Sequence, residues 1–318
     1  MAINAIQFQK GLSLEQFMKD YGTEEQCEKA MEQARWPAGF KCPRCDHGAA
    51  SHYRRGGLLL WECSACQYQA SLRAGTIMER SHLPLTTWFL AIYLMTQSKT
   101  NIAALAMMRQ LGVSWKTAWL LKHKLMEVMR RRETDCPLQG DVRVDDAYLG
   151  GERPGGGSGR GSSNKVAFVA AVEMHDGRPQ RVRFDPVSGF TFAALTVWAR
   201  SAIVPGSCVL SDGLLGFEVL EKLGYSHKVV LAPKGKAGTE IEPFKWLNVL
   251  LGNLKTALSG THHAFKFAKY AHRYLAEVQY RFNRRFNLAA MVPRMIVAIV
   301  QTRPCSKRVI SRRPESVT

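Results

Sequence analysis

Four cysteines constrain the first third of this chain more than any other feature. A Cys-Pro-Arg-Cys motif spans Cys42–Cys45 and a Cys-Ser-Ala-Cys motif spans Cys63–Cys66, with 17 residues between them. Two such turns can close a tetrahedral site of four thiolates, with one hairpin supplying each pair. A redox site would instead need a single motif of this kind beside a βαβ unit, which is missing. The spacing therefore predicts a zinc ribbon with one structural Zn²⁺, because about 30 residues bury too little core to fold without it.

The net charge indicates the class of partner. It is +18 for the 318 residues, and residues 1–35 carry four Lys/Arg against six Asp/Glu, so the positive excess lies after Arg35. The positive electrostatic field of such a net charge predicts a polyanionic partner, and it favours a nucleic acid over a membrane. The alternative is a basic surface that only keeps the protein soluble.

No targeting or membrane segment is expected. The first ten residues lack the basic start and apolar core of a signal peptide. The longest apolar run, Trp88–Met95, is far shorter than the roughly 20 residues that cross a bilayer. Four further cysteines are scattered, a pattern that fits a reducing cytoplasm.

Residues 101–132 predict a helix-turn-helix. A helix from Ile102 to Leu111 is followed by a break at Gly112 and a second helix that begins at Ser114, a good N-cap residue. In this arrangement the start and the basic face of the second helix meet DNA. The candidate contacts are Trp115, Lys116, Thr117, Lys122 and Lys124. Two packed helices that contact no groove are the alternative.

A second basic region lies near the end of the chain. Residues 261–286 predict a helix that interleaves cations and aromatic residues, which suits a nucleic-acid backbone but also an ordinary basic helix. Its candidate DNA contacts are His262, His263, Arg281, Arg284 and Arg285.

Two segments predict strands that end on carboxylates. The stretch Val142–Gly151, VRVDDAYLGG, alternates apolar and polar residues and contains an acidic pair. The stretch SCVLSDG repeats this logic with Asp212 before a glycine. Carboxylates on rigid strands suit Mg²⁺, which prefers fixed oxygen ligands. The alternative for the first stretch is a solvated Asp-Asp turn.

A late helix presents two polar residues beside an apolar stripe. Residues 244–258 carry leucines at helical spacing, and Asn248 and Lys255 are seven apart on one flank of that stripe. One of them could face the carboxylates while the other reaches a phosphate. Periodicity alone favours two solvated side chains.

The chain as a whole predicts a multidomain protein. Its segments are a helical lead-in over 1–36, a zinc ribbon over 37–80, a helix-turn-helix over 81–135, a core over 136–300 and a basic disordered tail over 301–318. The core contains an inserted Gly-rich loop, residues 150–165, that lacks the ending of a phosphate-binding P-loop.

In sequence, the chain resembles the zinc-ribbon branch of bacterial insertion-sequence transposases, the ISXO-type group of the DDE superfamily. The resemblance covers nearly the whole chain. Its motifs occur in the same order as in that family, which makes the match specific. They are RWPAGFKCPRC, CSAC, LGVSWKTAW, VDDAYLGG, LSDG, NLKTALSGTHH and RYLAEVQYRFNRR.

This resemblance implies an α/β ribonuclease-H-like catalytic core with two catalytic Mg²⁺ ions. By the family's pattern, Asp145 and Asp212 are metal ligands and Lys255 approaches DNA. The match at Lys255 places Asn248 in the third ligand position. Some branches resemble this Asp-Asp-Asn pattern, although the neutral oxygen of Asn is a weaker ligand than the carboxylate of Glu.

The implied function is a transposase that binds terminal inverted repeats and catalyses strand cleavage and strand transfer. Its partners would be double-stranded DNA, both repeats and target, and further copies of itself on DNA, with no membrane partner. We expect it in the bacterial cytoplasm with the nucleoid. An inactive or domesticated descendant that only binds DNA is one alternative, and a nuclease that cuts without joining is another.

Overall fold

The chain folds as two compact units. The computed structural model describes residues 5–150, 165–231, 242–262 and 267–312. The first unit comprises Met1–Val128 with Phe286–Ile310, and the second comprises Met129–Arg285 with Ser311–Thr318. The sequence placed residues 286–300 in the core over 136–300, but they belong to the first unit. Among the helices in the described part of the chain, none has both the length and the apolar character that a bilayer-spanning segment needs.

The first unit is mainly helical. Its helices are α1 (Leu14–Tyr21), α2 (Glu24–Arg35), α3 (Leu85–Gln97), α4 (Ala104–Leu111), the start of α5 (Trp115–Thr134), α10 (Met291–Gln301) and α11 (Lys307–Ile310). Helices α2, α3 and α10 pack against one another. The apolar run in α3 is buried there rather than in a membrane, and Trp88, Phe89 and Ile92 are almost completely inaccessible.

A carboxylate from α2 caps α3. Pro84 precedes α3 and offers no side-chain hydrogen bond to its first turn. Glu24 supplies one instead: its carboxylate accepts the amides of Leu85 at 2.8 Å and Thr86 at 3.1 Å. The negative charge also suits the positive end of the helix dipole, so this contact ties two segments of distant sequence together.

The ribbon is a small antiparallel sheet in the first unit. Strands β1 (Ala50–Arg55), β2 (Leu58–Cys63) and β3 (Gln69–Ser71) lie in the order β1-β2-β3. Arg55 pairs with Leu58, so Gly56 and Gly57 alone form the turn, with φ of 53° and 80°. A two-residue turn with positive φ at both positions matches the twist of the two strands and favours glycine.

The second unit contains a mixed five-stranded sheet. Its strands are β4 (Asp141–Leu149), β5 (Val166–His175), β6 (Arg178–Pro186), β7 (Cys208–Ser211) and β8 (Ser226–Val229), in the order β6-β5-β4-β7-β8. Strands β4, β5 and β6 are antiparallel neighbours, whereas β7 runs parallel to β4 and β8 parallel to β7. Helix α6 (Phe192–Ala202) joins β6 to β7, and its Leu195 and Trp198 pack on Val142 and Val144 of β4.

Two further helices complete the second unit, α8 (Glu242–Thr261) and α9 (Phe267–Asn283), after the short α7 (Val219–Lys222). Helix α9 lies along β6, the edge strand. Asn283 accepts the amide of Val182 at 2.7 Å and donates to its carbonyl at 3.0 Å, while Gln279 accepts the amide of Phe184 at 3.0 Å. Side-chain amides therefore satisfy an edge that would otherwise need another strand.

The basic tail predicted over 301–318 was wrong for residues 301–310. Gln301 ends α10, and α11 follows with Ile310 fully buried and Cys305 nearly so. Two apolar side chains placed among the cations hold this stretch against the first unit. Residues 313–318 lie outside the described residues.

We expect Asn283→Ala to lower the free energy of unfolding by about 2 to 3 kcal/mol, because it leaves two backbone groups of β6 unsatisfied. Urea unfolding measures the loss, and hydrogen exchange should show it at the β6 amides. Asn253→Ala, on the exposed side of α8, is the matched control and should change stability by less than about 0.5 kcal/mol. Equal effects of the two substitutions would contradict the edge-capping role.

Candidate functional site

The four ribbon cysteines converge as the sequence predicted. The sulfur atoms of Cys42, Cys45, Cys63 and Cys66 all lie within 4.8 Å of one another. The separations are 3.6 Å for Cys42–Cys66, 3.6 Å for Cys45–Cys63 and 3.3 Å for Cys45–Cys66. Tetrahedral zinc with Zn–S bonds of about 2.3 Å separates its sulfurs by about 3.8 Å. The donor set thus fits one Zn²⁺ ion.

The two cysteine turns have the same backbone geometry. The amide of Cys42 donates to the carbonyl of His47 at 2.9 Å, and that of Cys63 donates to Tyr68 at 3.0 Å. The residue after each second cysteine is left-handed, with φ of 60° at Asp46 and 58° at Gln67. Such turns direct backbone amides at the sulfurs. Burial raises the pKa of the Cys63 thiol, but the backbone amides of Cys66 and Ala65 and hydrogen bonds from the Cys45 and Cys66 thiols together lower it to about 6, which favours the thiolate that binds metal.

Three carboxylates converge in the second unit. Oxygen atoms of Asp145, Asp146 and Asp212 all lie within 4.8 Å of one another. The parallel register of β4 and β7 explains this, because it pairs Arg143 with Leu210, and two residues further on the chains reach Asp145 and Asp212. Asp146 was not among the candidates chosen from the sequence, although the acidic pair itself was visible there.

The turn after β7 holds Asp212 in place. Gly213 has φ of 92°, and a Cβ atom there would lie 2.7 Å from the Leu231 side chain. Conformation and space therefore both favour glycine. Asp212 accepts the amide of Leu214 at 3.3 Å, which closes the turn around the carboxylate.

An open cleft of about 1230 Å³ brings the acidic pair together with α8. The charged or polar residues that line it are Asp145, Asp146, Tyr148, Lys165, Lys245, Asn248 and Lys255. The leucine stripe of α8 is buried, so the flank with Asn248 and Lys255 faces the cleft. Arg143 fixes the start of α8 over β4, since its guanidinium donates to the carbonyls of Glu242 at 3.2 Å and Pro243 at 2.9 Å.

The start of α5 is exposed, but its predicted basic face is not. Trp115 is 51% exposed and Lys116 is exposed, while Thr117 donates its amide to the N-cap Ser114 at 3.2 Å. Lys122 and Lys124 are buried and donate to the carbonyls of Ile102 at 2.6 Å and Ile77 at 2.8 Å. Burial lowers the pKa of Lys124. Their assignment as phosphate contacts was wrong, because both ammonium groups serve the packing of the first unit.

Cations at the end of α9 also serve the fold. Arg284 stacks on the Tyr280 ring at 3.6 Å and pairs with Glu133. Arg285 donates to the carbonyls of Gln180 and Pro179, and burial lowers its pKa to about 10. Both residues are half-buried, and some of their donors are used within the second unit along β6 and α5.

The other predicted contacts of this region fall into different positions. Arg281 is half-buried, and burial lowers the pKa of its guanidinium. The His262 ring packs edge-on against Tyr274 at 4.5 Å. His263 and most of the predicted Gly-rich loop, residues 151–164, lie outside the described residues.

Comparison with known protein families finds one match in each unit. Residues 137–283 match the ISXO2-like transposase domain, and residues 22–69 match the transposase zinc-ribbon domain. Both segments therefore match domain families of insertion-sequence transposases. The first match contains the three carboxylates, Asn248 and Lys255. It ends at Asn283, the last residue of α9, whose side chain caps the edge of β6. The second contains all four ribbon cysteines.

Individual relatives are more distant. A protein of the transposable element ISH50 from Halobacterium salinarum is 29% identical over 136 residues, which are 42% of this chain and 44% of the relative. The chain thus spans less than half the length of that relative. The transposase chain in the Mos1 strand transfer complex is 13% identical, with a TM-score of 0.23. The match covers 64% of this chain and 76% of the Mos1 chain. A pre-cleavage Mos1 transpososome is 12% identical, with a TM-score of 0.22 and coverages of 62% and 75%. These scores are too low to support an argument about the fold.

We expect Cys45→Ser to lose the ribbon zinc, because three thiolates and a hydroxyl bind Zn²⁺ far more weakly than four thiolates. Metal analysis of the purified chain measures zinc content, and hydrogen exchange should show faster exchange in β1 and β2. Cys136→Ser changes an exposed thiol outside the cluster and should keep the zinc. A Cys45→Ser protein with wild-type zinc content and protection would contradict the assignment.

Proposed function

We propose that this protein is a DNA transposase that binds the terminal inverted repeats of an insertion sequence, cleaves the strands and joins them to target DNA. The observation that carries this proposal is the convergence of Asp145, Asp146 and Asp212, of which the first two line a cleft together with Asn248 and Lys255. The matches of residues 137–283 and 22–69 to transposase domains support the same activity.

The core arrangement is consistent with the ribonuclease-H-like fold that the sequence resemblance implies. Three antiparallel strands continue into two parallel ones. Asp145 lies on the central strand, and Asp212 directly follows its parallel neighbour. This arrangement brings two acidic residues together although 66 residues separate them in sequence.

The oxygen donors in this cleft fit hard divalent cations such as Mg²⁺. Asp145 and Asp212 would hold the ions, and Asn248 would complete one shell with its neutral carbonyl oxygen. Two Mg²⁺ ions, when bound, activate an attacking oxygen and stabilise the leaving oxygen of a phosphoryl transfer. Lys255, which is exposed and two helical turns from Asn248, would position a DNA phosphate by its charge.

The first unit supplies the proposed contacts to the repeats. Helix α4 ends at Gly112, and Ser114 caps α5 three residues before Thr117. Trp115 and Lys116 therefore stand at the exposed start of a helix, the part that enters the major groove in helix-turn-helix proteins. Because two ends must be joined in one event, we infer that at least two copies act together on DNA.

A second candidate function is DNA binding without catalysis. It is favoured by Asn248, since a neutral side chain at the third ligand position binds cations less strongly than Glu. Such a protein would keep the ribbon and the exposed start of α5 but would not cut DNA.

We expect Asp145→Asn and Asp212→Ala each to abolish Mg²⁺-dependent cleavage of DNA that carries the element's ends. Loss of cation-based stabilisation of the transition state is worth several kcal/mol, or about 10³-fold in rate. Affinity for the same DNA should change little, because both residues lie outside the first unit. Asp176→Asn, in an exposed turn, is the control and should cleave normally.

The products separate the candidate functions. Wild-type protein that yields joined DNA supports transposition, and cut but unjoined ends support a nuclease. Tight binding with no cleavage by any variant would favour the non-catalytic alternative.

We expect Lys116→Ala to weaken binding to the element's ends and to reduce the slope of log K against log salt by about 1, since one phosphate contact is lost. Fluorescence anisotropy across a salt series measures both quantities. Lys19→Ala removes an equally exposed lysine from α1 and should leave the slope unchanged. The proposed interface would be wrong if the two variants had the same salt dependence.

A further inference from the structure

Asn248 leaves the proposed catalytic site with one carboxylate fewer than an Asp-Asp-Glu set. We propose that Asp146 supplies the missing negative charge, so that Asp145, Asp146 and Asp212 together form the anionic ligand set while Asn248 contributes a neutral oxygen. This inference rests on the proposed function and adds a residue to it. It predicts that negative charge at positions 146 and 248 is exchangeable.

The first observation is the position of the Asp146 carboxylate. Adjacent residues of a strand leave it on opposite faces, so Asp145 and Asp146 are expected to point apart. Their carboxylate oxygens nevertheless lie within 4.8 Å of each other and of Asp212. Both residues also line the cleft beside Asn248. The Asp146 carboxylate is thus directed to the site rather than to the far face of the sheet.

The burial pattern of β4 explains how this is possible. Val142 and Val144 are fully buried on one face, whereas Ala147 and Leu149 are buried on the other. The alternation therefore changes phase at the acidic pair, and both carboxylates are partly exposed. Strand β7 pairs with β4 only as far as Arg143 and ends at Ser211. Beside Asp145 and Asp146, this edge of β4 is therefore not paired with β7. Two side chains from opposite faces can meet at such an edge.

The charges around the pair point to a cation. Three carboxylates whose oxygens lie this close repel one another unless positive charge compensates. Across the other edge of β4, Ala170 and Val169 pair with Asp145 and Asp146 and carry no charge. The cleft also contains Lys165, Lys245 and Lys255, of which Lys245 lies 3.2 Å from Glu242. A divalent cation bound by several oxygens at once compensates such a set more fully than a single ammonium group does.

Direct binding of Mn²⁺ tests the assignment without relying on activity. The zinc-loaded full chain is titrated with Mn²⁺, and the bound ion is measured from the loss of the free-ion paramagnetic resonance signal. We expect Asp146→Asn to weaken binding by about 10- to 100-fold. Adding Asn248→Asp to that variant should return the affinity to within about three-fold of wild type, because the ligand charge is restored. Asp176→Asn is the control and should bind as the wild type does.

Each outcome has a defined meaning. Wild-type Mn²⁺ affinity in Asp146→Asn overturns the proposal and leaves this carboxylate to pair with a cleft lysine. Weak binding that Asn248→Asp does not restore overturns it too, because charge would then not be exchangeable between the positions. Circular dichroism and the melting temperature establish that each variant is folded. If Asp145→Asn and Asp212→Ala bind Mn²⁺ as the wild type does, the cation site of the proposed function fails, whatever the result at Asp146.

Discussion

The parallel pairing of β4 with β7 is the interaction on which the candidate active site depends. Only residues 141–143 of β4 and 208–210 of β7 are paired. Two residues beyond this pairing, Asp145 and Asp212 lie side by side, with carboxylate oxygens within 4.8 Å of each other. The parallel register of two short segments therefore sets the geometry of the acidic cluster.

The rest of the second unit keeps that pairing rigid. The core of Val142, Val144, Leu195 and Trp198 holds β4 against α6 on one face. On the other side, Arg143 binds backbone carbonyls at the start of α8 and so places Asn248 and Lys255 over the cleft. Gln279 and Asn283 close the far edge at β6. These three polar side chains thus satisfy backbone groups of neighbouring elements.

The ribbon and the mixed sheet are stabilised by different means. The ribbon has three short strands and few buried residues, so its geometry depends on four cysteine sulfurs brought together by two equivalent turns. The mixed sheet has an apolar core and needs no metal to form, although its acidic cluster is suited to one. A metal would therefore stabilise the fold of the ribbon, whereas at the acidic cluster we propose that it takes part in catalysis.

The sequence by itself determined the features that depend on local spacing. The cysteine motifs predicted the ribbon cluster, alternation predicted β4, and helical periodicity placed Asn248 and Lys255 on one flank of α8. Tertiary structure decided which cations serve the fold. The buried Lys122 and Lys124 donate to carbonyls, and the half-buried Arg284 and Arg285 form contacts along α5 and β6, which composition cannot reveal. It also decided that Asp146 joins Asp145 and Asp212, because that depends on where β7 stops along β4, a contact between distant segments that no local pattern encodes.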